Sequence, residues 1–90
     1  MELKNFIEEN LNKWMKIENN DVTIIQKIND YQQTNKDNIV ECSGFSISNA
    51  EGESRTLDKF YMTSYDMSGK ITFLSDETAE KEIQEMENNI

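Results

Sequence analysis

Residues 21–34, DVTIIQKINDYQQT, admit two readings, and the choice between them decides how many strands the chain can form. Asp21 is placed to cap a helix whose inner face is Ile24, Ile25, Ile28 and Tyr31. The same stretch is rich in β-branched residues and alternates at Val22, Ile24 and Ile28, as a strand does. The helical reading is preferred, with a strand as the alternative. The polar run QQTNKDN closes the segment in either case.

Upstream, residues 2–18 place Leu3, Phe6, Ile7, Leu11, Trp14 and Met15 at the i, i+3, i+4 spacing of one helical stripe. Glu9 and Lys13 support that helix as an i, i+4 pair, and Asn19-Asn20 supplies its stop. Trp14 then belongs to the core stripe. Downstream, the period changes to two from Ile39. IVECSGFSIS puts Val40 and Cys42 on one face and Phe45 and Ile47 on the other parity, a slip that Ser43-Gly44 can absorb as a bulge. NAEGES reads as a turn, RTLDKFYMTSY as the next strand, DMSGK as a hairpin connection and ITFLS as the last strand.

The expected fold is therefore α+β: an N-terminal helix or two, a three-stranded antiparallel meander, and a C-terminal acidic helix, with the helices packed on one sheet face. Within strand 57–65, Leu57, Tyr61 and Tyr65 share one face while Phe60 and Met62 share the other. A sheet covered on one side leaves one of these sets open to a partner or a second copy.

The C-terminal segment SDETAEKEIQEMENNI carries six carboxylates against one cation, Lys81. Ser75 or Asp76 caps it, Ala79, Ile83, Met86 and Ile90 form its apolar seam, and Glu77, Glu80, Glu85 and Glu87 fall outside or on the flanks. Carboxylates three or four residues apart on a helix lie about 5–6 Å from one another, comparable to successive phosphates of a nucleic-acid strand. The commonest role of such a surface is simply to be solvated.

Composition limits function more firmly than it assigns it. Ninety residues fit one domain, 1–90, and the net charge of −9 with a pI near 4.3 opposes binding to nucleic acid or an anionic membrane. A larger basic protein, such as a nucleic-acid-binding effector, is the better-matched partner. No histidine is present, which removes Ser-His-Asp, Cys-His and His-metal chemistry. Cys42 is the only cysteine, so an intramolecular disulfide or cysteine metal cluster cannot form, and its expected role is a small buried hydrophobe. The glycines at 44, 52 and 69 form no phosphate-cradling run, and the 49–53 loop carboxylates Glu51 and Glu53 match no calcium-loop pattern. No cofactor and no metal are expected. The absence of a long apolar run predicts a cytoplasmic protein, in a bacterial host.

Eleven asparagines, eight lysines to one arginine and no proline point to A/T-rich coding. In this general character the chain resembles phage-encoded inhibitors of bacterial defence, anti-CRISPR proteins among them; composition carries the resemblance and no motif does. It implies a non-enzymatic inhibitor that occupies a basic groove, with Glu51, Glu53, Glu77, Glu80, Glu85 and Glu87 steering and Tyr61 or Tyr65 anchoring. The alternatives are an immunity protein or antitoxin that neutralises a basic toxin, a housekeeping module that homodimerises through an open sheet face, and, last, an enzyme working through carboxylates alone.

Overall fold

The computed structural model describes residues 2–50 and 52–88. Helix α1 (Leu3–Glu9) leads into β1 (Trp14–Asn19), β2 (Val22–Gln33), β3 (Ile39–Ala50) and β4 (Glu53–Thr63), followed by the one-turn helix α2 (Ser64–Met67), β5 (Lys70–Leu74) and α3 (Asp76–Asn88). The strands make one antiparallel sheet in the order β4-β3-β2-β1-β5. The α+β class stands, but the three-stranded meander with helices on one face is corrected: the described residues form five strands, and α1 and α3 pack on opposite sheet faces.

The first correction lies at Asn10–Asn12. The helix expected over 2–18 stops at Glu9, where the Asn10 side-chain amide donates to the Phe6 carbonyl at 2.8 Å and the Asn10 backbone N–H to the Ile7 carbonyl at 3.1 Å. Asn12 then takes a φ of 63°, a left-handed conformation that asparagine tolerates better than most residues. Beyond it, Met15 and Ile17 point inward and are fully buried, while Trp14 and Lys16 face the other way. Asn19-Asn20, expected as a helix stop, instead opens a two-residue hairpin in which Asn19 pairs with Val22.

Residues 21–34 are the second correction, because Val22–Gln33 is a strand and not a helix. Ile28, with half-buried Ile24, belongs to one core, and neighbouring Ile25 to the other. A strand buried on both faces carries adjacent apolar residues and so loses the clean alternation that marks a half-buried one.

The parity slip in β3 is present and shapes the molecule. Register shifts between Ser43 and Ser46 against β4, and between Ile28 and Asp30 against β2. Val40 and Cys42 accordingly enter one core, and Phe45 and Ile47 the other. The double bulge bends the long ribbon β2-β3-β4 across the face of β1 and β5. In a flat sheet Gln26 and Met62 would stand roughly 20 Å apart along the strands; the Gln26 amide instead lies 3.5 Å from Sδ of Met62 and of Met15.

Two cores result. Inside the bend, Leu3 and Ile7 of α1 close over Met15, Ile17, Ile28, Val40, Cys42, Phe60 and Met62. On the opposite face, α3 lays Met86 and Ile83 over Ile25 and Ile47, with Trp14, Phe45 and Leu74 around them. The bend also explains the third correction. DMSGK does not make a β4–β5 hairpin, because β5 pairs with β1 at the far edge, from Lys70 opposite Glu18 to Leu74 opposite Trp14. Residues 64–69 can cross from one edge to the other only because bending brings those edges together; six residues reach at most about 20 Å.

Gln26 is the anomaly of the inner core, at 3% exposure with a side-chain amide that donates only to two thioethers. Sulfur is a weak acceptor, so much of the cost of desolvating the amide is uncompensated. Gln26→Met, close in volume, is expected to stabilise the protein by about 1 kcal/mol, raising Tm by roughly 4–8 °C in a thermal melt.

Candidate functional site

Helix α3 starts at an N-cap that the sequence announces. Ser75 Oγ accepts from the Thr78 backbone N–H at 3.2 Å, the Ala79 N–H donates to the Ser75 carbonyl at 2.9 Å, and Asp76 and Glu77 lie in the first turn, where carboxylates favour the helix dipole. Ala79 and Met86 are buried and Ile83 half-buried. Ile90, expected in the same seam, lies outside the described residues. From Leu74 at one sheet edge the helix crosses toward the other, where Ser54 Oγ donates to the Met86 carbonyl at 2.7 Å.

The two flanks of α3 differ. On one, Glu82 accepts from Lys16 Nζ at 2.7 Å, tying the helix to β1, and Glu85 lines the same shallow recess. Lys16 is raised above the usual lysine range, first by its hydrogen bond to Glu82 and then by that carboxylate's charge, with partial burial working the other way. On the other flank a groove of about 500 Å³ runs beside the helix. Its floor is Trp14, Phe45 and Ile83, and its helical wall is Asp76, Glu80, Gln84 and Glu87. The Trp14 and Phe45 rings meet edge to face, with centroids 5.7 Å apart and an interplanar angle of 73°. Lys27 lies between them in the cross-strand row Trp14–Lys27–Phe45, its ammonium 5.4 Å from the Trp14 ring centroid.

The expected site residues are only partly assembled. Glu80 and Glu87 line the groove; Glu85 is on the opposite flank, and Glu77 is exposed on α3 away from both recesses. Glu53 is exposed at the start of β4, next to Ser54 and hence near the C-terminal end of α3. Glu51 lies outside the described residues. Tyr61, 63% exposed, sits seven residues along β4 from Ser54, about 23 Å of strand. Tyr65, also exposed, is not on that strand face at all: it belongs to α2, which begins with a capping box between Thr63 and Asp66. Neither tyrosine joins the carboxylate surface. Trp14, Phe45, Asp76 and Gln84 were not expected as site residues: Asp76 is visible among the six carboxylates of the C-terminal segment and Phe45 in its parity after the bulge, whereas Trp14 reads as core and Gln84 leaves no signal.

Other reactive groups are placed away from this surface. Cys42 is fully buried, burial pushes its thiol up to about 11, and its Sγ lies 3.7 Å from the Val40 carbonyl. The Tyr31 hydroxyl donates to Glu8, which holds the phenol above its usual range. Among the described residues no three His, Cys, Asp or Glu side chains converge to hold a metal ion, and no helix is long and apolar enough to cross a membrane.

Comparison of the chain with protein families, with curated proteins and with solved structures gives no match. Its function is therefore argued from its own residues.

Proposed function

We propose that the protein is a non-enzymatic binder of a larger basic protein, and that it blocks a nucleic-acid-binding surface of a bacterial defence factor in the manner of an anti-CRISPR protein. The observation that carries this reading is the charge of α3. Its thirteen residues hold six carboxylates and one lysine, 1 − 6 = −5 of the total −9, leaving twelve carboxylates and eight cations, −4, for the rest of the chain. Among the described residues just two ion pairs occur, Lys4–Glu8 and Lys16–Glu82, so one α3 carboxylate is neutralised from within and Asp76, Glu77, Glu80, Glu85 and Glu87 remain exposed.

A surface of this kind attracts a polycation over a Debye length of about 8 Å at physiological salt, and wrong partners of its own sign are repelled. An immunity protein acting on a basic toxin would use the same surface and differs only in its target. A dimeric module is the other alternative: α1 and α3 cover β1 and β2, and the exposed Tyr61 of edge strand β4 and Tyr65 of α2 would form its contact.

The test is competition. The chain is used to capture proteins from a low-GC bacterial lysate at low salt, and the nucleic-acid binding of each captured protein is measured with and without added chain. The expected result is a partner eluted by salt whose nucleic acid is displaced at stoichiometric chain. A captured partner that keeps its nucleic acid overturns the blocking role, and capture insensitive to salt overturns the electrostatic basis.

A further inference from the structure

The geometry points to the groove beside α3 as a slot for an extended, arginine-bearing segment of the partner, with one guanidinium stacked on Trp14 and held by Glu80 and Glu87. This rests on the functional reading above and specifies which part of α3 performs it. Asp76, Glu80 and Glu87 fall within roughly a 40° arc of the helix, on the side that meets the Trp14–Phe45 floor, and they span about 16 Å of helix, the length of about five extended residues. Glu77 lies away from both recesses, and Glu85 borders the shallower one, on the flank opposite Trp14 and Phe45. Aromatic floor and carboxylate wall together match the two halves of an arginine side chain, a weakly hydrated planar cation that stacks on indole and a fork that pairs with carboxylates.

The chain itself supplies a second observation. Lys27 already holds a cation against the Trp14 ring, and among the described residues its ammonium makes no ion pair with the wall carboxylates. The ring face is thus a cation site in use, while the wall charges remain available. With Asp76, Glu80, Glu87 and Lys27 the groove has a net charge of −2, which favours a positive occupant over an acidic or neutral one. A purely apolar segment would desolvate three carboxylates without pairing them.

The probe is a blocked Gly-Arg-Gly-Arg-Gly peptide, with its citrulline counterpart as the uncharged control, titrated into the full chain. Trp14 is the only tryptophan, so its fluorescence and its indole N–H resonance report from the groove floor. The arginine peptide is expected to give a saturable change at both signals, and the citrulline peptide to bind at least tenfold more weakly. Glu80→Gln with Glu87→Gln should remove saturation, whereas Glu77→Gln with Glu85→Gln, which neutralises the same amount of charge, should leave the affinity within twofold. Lys27→Gln, which clears the ring, should tighten binding several-fold. Equal loss from both carboxylate pairs, equal binding of the two peptides, or a silent Trp14 overturns the slot. These outcomes leave the blocking function intact if competition for nucleic acid persists; saturation at Trp14 without such competition overturns the function and keeps the slot.

Discussion

Gly44→Ala is expected to cost about 3 kcal/mol or more, a large share of the roughly 5–13 kcal/mol that holds a 90-residue domain together. Gly44 has φ +150°, a conformation that side chains rarely adopt, and a Cβ there would lie 2.1 Å from the Lys27 carbonyl oxygen and 3.1 Å from the Asn29 backbone nitrogen. Both obstacles are backbone atoms of β2 at its own bulge, so no rotamer change relieves the clash. The bend that closes the inner core depends on this approach. Urea denaturation should show a midpoint shifted far to low denaturant, and a thermal melt a fall of roughly 12 °C or more. Gly52→Ala is the control. At φ +81° with nothing within 4 Å of its Cβ position, it carries only the local strain of a left-handed residue, about 1–2 kcal/mol. Equal effects of the two substitutions would show that the β2–β3 approach is not tight.

The second large effect concerns binding and leaves the fold alone. Replacing Glu80, Glu85 and Glu87 by lysine changes the net charge from −9 to −9 + 6 = −3 and turns α3 from −5 to +1. Affinity for the proposed basic partner should fall roughly hundredfold at low salt, on the basis of about 1 kcal/mol for each reversed rim charge, and the salt dependence that remains should be shallow. Stability should stay within about 0.5 kcal/mol, because all three side chains are exposed. Two local terms even favour the variant: Glu80→Lys would place a cation four residues after Asp76, in the favourable i, i+4 order, and cations near the helix C-terminus complement its dipole. Retention of wild-type capture by a folded variant contradicts the electrostatic reading.

Much of this molecule was legible in one dimension and the rest was not, for identifiable reasons. The irregularity in β3 could be read because Val40 and Cys42 differ in parity from Phe45 and Ile47 around Ser43-Gly44, and the two pairs enter opposite cores. The capped helix α3 was equally plain, since Ala79, Ile83 and Met86 repeat at helical spacing behind Ser75. β1 escaped because Trp14 and Met15 continue the stripe begun by Leu3, Phe6 and Ile7, and over so short a window helical and extended periods coincide. The deciding residues, Asn10 and Asn12, act through a cap and a left-handed φ that leave no mark on the hydrophobic pattern. β5 was recognised as a strand, but its pairing with β1 depends on the bend and so on contacts distant in sequence. The site divides in the same way. Its carboxylates are visible on one helix, whereas Trp14 and Phe45 come from strands thirty-one positions apart and meet only across β2.

Both the fold and the groove depend on Trp14 standing on a central strand beneath α3. Nuclear Overhauser contacts of the Trp14 indole protons measure this directly in the full-length chain. The structure predicts cross-peaks to the Phe45 ring and the Ile83 side chain, together with antiparallel cross-strand contacts from β1 to Gln26 on one side and Phe73 on the other. Sequential amide contacts running unbroken from Leu3 to Glu18, with the indole near Leu11 and no signal to Phe45, would show a continuous helix and remove the groove altogether.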